Sequence, residues 1–184
     1  MGPQQLTAEL VHVEQWSFET STWTYLVRDQ ELLSAPVRTL YMPPDSKALA
    51  TNPLCLKFVT PVRLQEKGTL LQSPSIEQFL KLLMQRIVVI HHMYGLGELQ
   101  IDTDHIQQAS QRIRVKSQDF QWVDIERFSY RKHTKMKIGG LVGEWVWEGE
   151  EEELSAVLPY LQLAEWIHVG KHTSFGYGKI NVCS

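Results

Sequence analysis

The sequence has 184 residues, of which 43% are hydrophobic, and a formal net charge of −3. A chain of this length can bury one substantial core, as one domain or as one domain and a fraction. The composition excludes a globally basic protein, and the sequence shows no signal-peptide pattern and no apolar run of membrane-spanning length. The two cysteines lack a CxxC partner, which argues against a disulfide framework and predicts a reducing, cytoplasmic setting.

The first 50 residues contain three short candidate strands, AELVHVE, TWTYLV and VRTLY. Turn residues separate and follow them, in SAP at 34–36 and MPPDS at 42–46. This stretch is too short for a sizeable core of its own. We therefore predict an N-terminal extension, or the remnant of a preceding domain, at residues 1–50 and a main domain at 51–184.

The pattern becomes clearer after residue 54. LCLKFVT, residues 54–60, predicts a strand that is terminated by Pro61. Ser73 and Pro74 begin a predicted helix that ends at Gly95. The apolar positions of this helix recur at helical spacing and are Ile76, Phe79, Leu80, Leu83, Ile87 and Val88.

A basic strand and an aromatic strand follow. Alternation predicts a strand whose basic face carries Arg112, Arg114 and Lys116, extended by FQWVDIERF. The next strand, KIGGLVGEWVWEG, contains two adjacent glycines that indicate a bulge or a close backbone crossing. Its predicted faces are Leu141, Trp145 and Trp147 on one side and Val142, Glu144 and Val146 on the other.

The last elements are a helix over LSAVLPYLQLAEWIHVG and a strand over GYGKINV. Pro159 should lie in the first turn of this helix or kink it. We expect Trp145, Trp147 and Trp166 to pack in the core. The element order is strand, helix, strand, strand, helix, strand, which predicts an α+β, ferredoxin-like βαββαβ domain with the topology of an RNA-recognition motif.

The charges are distributed unevenly. Residues 112–137 hold eight Lys or Arg against three acids, and the acidic run EGEEEE follows at 148–153. Such runs usually mark solvated faces. We expect the basic stretch to follow a phosphate backbone and the acidic run to lie elsewhere.

The segment HVGKHTSFGYGK at 168–179 is the main candidate for chemistry, because glycines permit unusual backbone angles and exposed N–H groups can bind an anion. It is no P-loop, since GK begins the loop and only a strand follows. His168 and His172 lie four apart, but Gly170 interrupts a helix between them, so we predict no metal site and no cofactor. His172 is the candidate acid–base group; alternatively it contacts phosphate or caps a turn.

Three segments resemble the CRISPR-associated repeat-processing endoribonucleases of the RAMP superfamily: LKFVTPVRLQEKG (56–68), WVDIERFSYRKHTKMKIGGLVG (122–143) and LPYLQLAEWIHVGKHTSFGYGKI (158–180). Segment 168–179 is similar to the glycine-rich RNA-contacting loop of the family. Two more motifs match the family pattern: Gly139, Gly140 and Gly143 form a GGxxG stretch, and Arg127, Ser129 and Tyr130 precede it.

The resemblance implies metal-independent cleavage of CRISPR repeat RNA, in which the 2′-hydroxyl attacks the adjacent phosphate. Family members usually have two tandem ferredoxin-like domains, with the acid–base histidine in the first, and often a small residue where this chain has His172. The predicted RNA-binding residues are Gly170, Lys171, Thr173, Phe175, Gly176, Gly178, Lys179, Arg112, Arg114, Arg127, Arg131, Lys132 and Lys135, with Lys137 in the same basic turn.

Two other interpretations remain open. The chain could be a non-catalytic RNA-binding module of a CRISPR effector complex, or a structural protein-interaction domain, which the basic stretch disfavours. Besides repeat RNA, the candidate partners are other CRISPR effector subunits and a second copy of the chain. No membrane partner is expected.

Overall fold

The computed structural model describes residues 11–17, 22–28, 31–32, 51–95, 97–129 and 134–183. The chain divides into two compact units, Met1–Tyr41 and Met42–Ser184. In the first unit three antiparallel strands form one sheet, namely β1 (His12–Ser17), β2 (Thr22–Arg28) and β3 (Glu31–Leu32). Two of the predicted strands correspond to β1 and β2, and the third, VRTLY, lies outside the described residues.

The second unit has a four-stranded antiparallel sheet, three described α-helices and a small two-stranded ribbon. Its elements are β4 (Leu54–Val62), β5 (Gln65–Glu66), β6 (Thr69–Leu70), α1 (Ile76–Tyr94), α2 (Thr103–Arg112), β7 (Arg114–Ser129), β8 (Thr134–Glu148), α3 (Glu151–Ile167), a 3₁₀ turn (Thr173–Phe175) and β9 (Ile180–Cys183). The sheet order β7-β8-β4-β9 is the ferredoxin-like order, so the predicted fold class is confirmed. Over the described residues, no helix combines the length and the apolar character needed to cross a bilayer.

α1 begins with a capping box. Ser75 accepts a hydrogen bond from the Gln78 amide (3.1 Å), and the Gln78 side chain accepts one from the Ser75 amide (3.0 Å), so two N–H groups that the helix leaves unpaired are satisfied. The predicted end at Gly95 is confirmed. The predicted apolar face is right except at its last position: Val88 is exposed, and Met84 is buried instead.

The prediction omitted α2. Asp102 caps this helix by accepting a hydrogen bond from the His105 amide (2.9 Å), and only Ile106, Ala109 and Ser110 of the helix are buried. Because α2 extends to Arg112, the placement of Arg112 on a basic strand face was wrong. β7 begins two residues later, and its register shifts at the bulge that follows.

β4 continues through Pro61, so the predicted strand end was two residues early. Its register against β8 shifts between Phe58 and Val62, and a Cβ on Gly140 would lie 2.9 Å from the Pro61 carbonyl carbon. The predicted bulge or close crossing at the glycine pair is thus confirmed. Only a residue without a side chain allows β8 to approach the bulged strand this closely.

α3 begins at Glu151, earlier than predicted, and Glu151, Glu152 and Glu153 form its first turn. Carboxylates there stabilise the helix by interacting with its dipole. Pro159 lies inside the helix rather than in its first turn.

The core lies between the sheet and the helices. Trp145 and Trp147 are fully buried and contact each other edge to face, with ring centroids 5.1 Å apart. Phe79 of α1 contacts both indoles, at 5.7 and 6.0 Å. The predicted faces of β8 are confirmed, whereas the prediction for Trp166 was wrong, since it is 47% exposed.

Candidate nucleic-acid interface

Residues 168–179 form a closed loop between α3 and β9, referred to below as the glycine loop. The Val169 amide donates to the Gly178 carbonyl (2.9 Å), which joins the two ends of the loop. The Lys171 amide donates to the Arg63 carbonyl (2.8 Å), and the Gly178 amide donates to the Pro61 carbonyl (3.0 Å). The loop is therefore attached by main-chain hydrogen bonds to the end of β4.

The conformation of the loop requires several left-handed residues. Five of them have positive φ: His168, Gly170, His172, Gly176 and Gly178. A Cβ on Gly178 would overlap the Val169 carbonyl oxygen, and one on Gly170 would overlap the Arg63 carbonyl oxygen, whereas Gly176 has open space around it. Two of the three glycines are thus required by both backbone angle and space.

His168 and His172 also adopt positive φ, and because they carry a side chain this backbone conformation costs energy. His168 Nδ1 lies 2.8 Å from the Tyr177 carbonyl oxygen, across the base of the loop. The His172 ring stacks on Phe175, with centroids 5.8 Å apart and planes 17° apart, and meets Tyr177 edge-on at 6.1 Å. The loop therefore holds the His172 imidazole against two aromatic rings.

Two cations from outside α3 bind the carbonyl groups at its C-terminal end. The Arg86 guanidinium donates to the Ile167 carbonyl (3.3 Å) and to Thr173 Oγ1 (3.0 Å). Lys179 Nζ donates to the Glu165 carbonyl (2.6 Å) and lies 5.7 Å from the Trp166 ring centroid. These contacts satisfy carbonyls that the helix leaves unpaired and place positive charge at the negative end of its dipole.

The loop is also tied to β8. The Tyr177 hydroxyl donates to the Ile138 carbonyl (2.9 Å), and Arg63 Nη1 donates to the Gly139 carbonyl (2.8 Å). Burial raises the pKa of Tyr177; Arg63 opposes this rise and Asp124 adds to it. A protonated Tyr177 is needed to donate this hydrogen bond, so the raised pKa extends the connection to more alkaline pH than an ordinary tyrosine would allow.

The remaining loop surface faces outward. Lys171, Ser174, Phe175 and Gly176 are exposed, and Phe175 is 52% exposed. An exposed aromatic ring can stack on a base, and a lysine or an open glycine backbone can contact a phosphate. The loop therefore exposes both a cationic and a stacking group.

The basic residues of β8 lie close by along the strand. Lys135 and Lys137 are exposed, and Lys137 directly precedes the Ile138 carbonyl that Tyr177 binds. Lys135 Nζ is 3.7 Å from the Glu126 carboxylate, with both side chains largely exposed, so this ion pair contributes little stability and leaves Lys135 accessible.

Arg112 and Arg114 lie at the opposite end of the sheet. Arg114 pairs in register with Glu148, and Arg112 Nη1 is 3.5 Å from Glu153 Oε1. The length of β4 separates these arginines from the glycine loop. The expectation that the acidic run lies away from the basic residues was wrong at this end.

Other predicted residues are placed less fully. Arg127 lies in β7 with its backbone paired to Met136, and Arg131 and Lys132 lie outside the described residues. Lys179 belongs to the loop, but its ammonium group faces the end of α3. The described residues contain no cluster of three or more His, Cys, Asp or Glu side chains that could hold a metal ion.

Sequence reasoning missed Arg63, Arg86 and Tyr177, which hold the loop in place. Arg86 lies in a helix, and Arg63 follows a strand, so neither is close to the loop in sequence. For Tyr177 the sequence offers one signal, its position between two glycines. A large aromatic side chain at such a position in a loop suggests that it packs against the rest of the protein.

Comparison with known proteins decides the family. A family model described as CRISPR-associated endoribonuclease Cas6 matches residues 56–180, which include the glycine loop. The chain belongs to the Cas6 family. No curated protein matches the sequence significantly.

Solved Cas6 structures share the fold. A Cas6 product complex matches with 22% identity and a TM-score of 0.52, covering 75% of this chain and 54% of that one. Thermus thermophilus Cas6 matches with 14% identity and a TM-score of 0.50, covering 73% and 55%. A partial Cas6-RT-Cas1–Cas2 complex matches with 13% identity and a TM-score of 0.52, covering 75% and 23%. The chain thus spans about half the length of the first two Cas6 chains.

Proposed function

We propose that the second unit binds CRISPR repeat RNA through the outer surface of the glycine loop and the adjoining basic part of β8. The observation that carries this proposal is the loop itself: it lies within the matched Cas6 segment and is held rigid while Lys171, Phe175 and Gly176 remain exposed. A loop that is already held in one conformation loses little conformational entropy when it binds a phosphate backbone. RNA hairpins are recognised largely through shape and backbone contacts.

The proposed reaction is metal-independent endoribonucleolytic cleavage. The 2′-hydroxyl oxygen of the RNA attacks the adjacent phosphorus after a base removes its proton, and the bond to the leaving 5′-oxygen breaks as an acid protonates that oxygen. Lys171 and the loop amides stabilise the charge on the phosphoryl oxygens. His172, half-buried against Phe175, is the proposed proton donor.

The alternative is a non-catalytic RNA-binding module in a CRISPR effector complex. It is favoured by the family resemblance, in which the acid–base histidine usually lies in the first of two domains and a small residue often stands where this chain has His172. We further propose that residues 1–50 are an extension or remnant of such a domain, that the protein acts in the cytoplasm, and that other effector subunits or a second copy are its protein partners.

One assay separates the two functions. End-labelled repeat hairpin RNA is incubated with the chain in EDTA, and binding and product termini are measured together. We expect hairpin binding, with slow cleavage that survives EDTA, leaves no 3′-hydroxyl end and falls at least tenfold in His172→Ala. His105→Ala, a histidine on the surface of α2, is the matched control and should cleave as the wild type does.

The outcomes are distinct. Binding without any cleavage supports the module, and cleavage indifferent to His172→Ala moves the acid–base role to another histidine, with His12 and His133 as the next candidates. Metal-dependent cleavage that leaves 3′-hydroxyl ends contradicts the proposed mechanism. Failure to bind any repeat hairpin contradicts both functions.

A further inference from the structure

The two cysteines of the chain face each other across the sheet. Cys55 of β4 and Cys183 of β9 are direct partners in the antiparallel register. Antiparallel partners have Cα atoms about 4.5–5.5 Å apart, which lies within the range of roughly 4.4–6.8 Å that disulfides span. The two residues can therefore be bridged without moving the strands apart.

The pair lies on the accessible side of the sheet. Leu54 and Leu56 are buried in the core, so Cys55, between them, projects from the opposite face. Both thiols are free and half-buried, which leaves them within reach of a small reagent. The sequence has no further cysteine that could compete with this pair for disulfide formation.

The two thiols are in contact. Burial, a hydrogen bond with Cys183 and the charges of Cys183 and Glu144 raise the pKa of Cys55 to about 11, and Lys57 opposes this rise. A thiolate is the attacking form in disulfide exchange, so the bridge should form faster as pH rises.

We propose that Cys55 and Cys183 form a reversible cross-strand disulfide by exchange with a low-molecular-weight disulfide such as oxidised glutathione. The thiolate of one cysteine attacks one sulfur of the oxidant, forms a mixed disulfide and releases one glutathione thiolate. The other cysteine, on losing its proton, attacks the sulfur of the first and releases the second glutathione. The protein loses two protons and two electrons, and the oxidant is reduced to two thiols.

The bridge would fix the strand that follows the glycine loop. β9 is a four-residue edge strand, and Lys179, just before it, accepts hydrogen bonds from the Val59 (2.9 Å) and Thr60 (3.3 Å) amides. A covalent bond between β4 and β9 would close almost the whole second unit into one ring, and it would restrict the unfolded chain strongly.

The wild-type chain provides the first test. Reduced protein is equilibrated in glutathione buffers of increasing oxidised fraction, quenched with N-ethylmaleimide, and analysed by intact mass and peptide mapping. We expect a monomer that carries no N-ethylmaleimide and is about 2 Da lighter than the unalkylated reduced chain, one peptide pair joined through Cys55 and Cys183, and full reversal by dithiothreitol. The oxidised form should melt roughly 5 °C or more above the reduced form.

Single variants test the pairing. Cys55→Ser and Cys183→Ser should each accumulate a glutathione adduct on the remaining cysteine, because the thiol that would release it is gone. Both variants should keep the circular dichroism spectrum of the wild type. Two unreacted thiols in the most oxidising buffer, or disulfide-linked dimers as the only product, would each overturn the proposal.

Discussion

The two ends of β4 differ in whether the basic residues near them have acidic partners. At the Leu54 end, Arg114 faces Glu148, and Arg112 is paired with Glu153, so the cations are compensated locally. At the Val62 end, the glycine loop exposes Lys171, and no carboxylate among the described residues pairs with it. The two ends of β4 therefore differ: the arginines at one end have acidic neighbours, whereas Lys171 at the other end has no carboxylate partner among the described residues.

The largest expected effect tests the rigidity of the loop end. Gly178→Ala should destabilise the fold by roughly 3 kcal/mol or more, because the new Cβ overlaps the Val169 carbonyl and φ is positive. Gly176→Ala is the matched control, with the same φ and open space around it, and should cost about 1 kcal/mol. Urea unfolding monitored by tryptophan fluorescence measures both.

Equal losses in the free energy of unfolding of the two glycine variants would mean that the loop relaxes around residue 178. The loop end would then be as adaptable as an ordinary surface turn. In that case rigidity does not prepare the loop for a phosphate backbone, whatever the RNA affinity of the variants.

The second prediction compares the two ends directly. Lys171→Ala should weaken repeat-RNA binding by about 1 kcal/mol and lower the salt dependence by about one phosphate contact. Arg114→Ala, at the compensated end, should leave both nearly unchanged. Fluorescence anisotropy over a salt series gives affinity and slope; an effect of Arg114→Ala as large as that of Lys171→Ala would show that the RNA extends over both ends.

The smallest expected effect on RNA binding belongs to Tyr177, which is tested first through stability at alkaline pH. Because the pKa of Tyr177 is raised in the folded state, the unfolded chain loses the Tyr177 proton at lower pH than the folded chain does. The contribution of Tyr177 to stability is therefore fully present below about pH 10 and is lost as pH rises through the folded-state pKa. Tyr177→Phe should flatten this decline, at a cost of about 1 kcal/mol at neutral pH for the lost hydrogen bond to Ile138.

Tyr160 is the matched control, because burial, with a smaller contribution from Asp102, raises its pKa in α3 as well. Tyr160→Phe should flatten the alkaline decline without changing RNA binding, whereas Tyr177→Phe should weaken binding two- to threefold. Unfolding midpoints between pH 8 and pH 11 and anisotropy titrations supply the two readouts. A decline unchanged in both variants would assign it to other groups.

Sequence patterns predicted what depends on local periodicity. The faces of β8 and the end of α1 at Gly95 followed from alternation and helix-end chemistry. α2 was not predicted, because its buried side consists only of Ile106, Ala109 and Ser110. This apolar stripe is too small to be recognised in a polar segment. Its single legible signal was Asp102, which caps it.

The glycine loop was located from its residues and its resemblance, but the groups that hold it could not be. Arg86 contacts Thr173 across 87 positions and Arg63 contacts Gly139 across 76. Such contacts depend on tertiary packing, which no short-range pattern records. For the same reason Arg112 was assigned to a strand although it ends a helix.

The long-range anchoring of the loop has a consequence for how the molecule is made. Lys179 bonds to Thr60 across 119 positions, and the loop also needs β8 and α1 in place. Contacts that distant form late, since the entropy of closing long segments is lost before they contribute. A nascent or partly folded chain would have helices and strands before it has this surface. Competence for RNA would then appear together with the completed native state, and unfinished chains would not compete for the transcript.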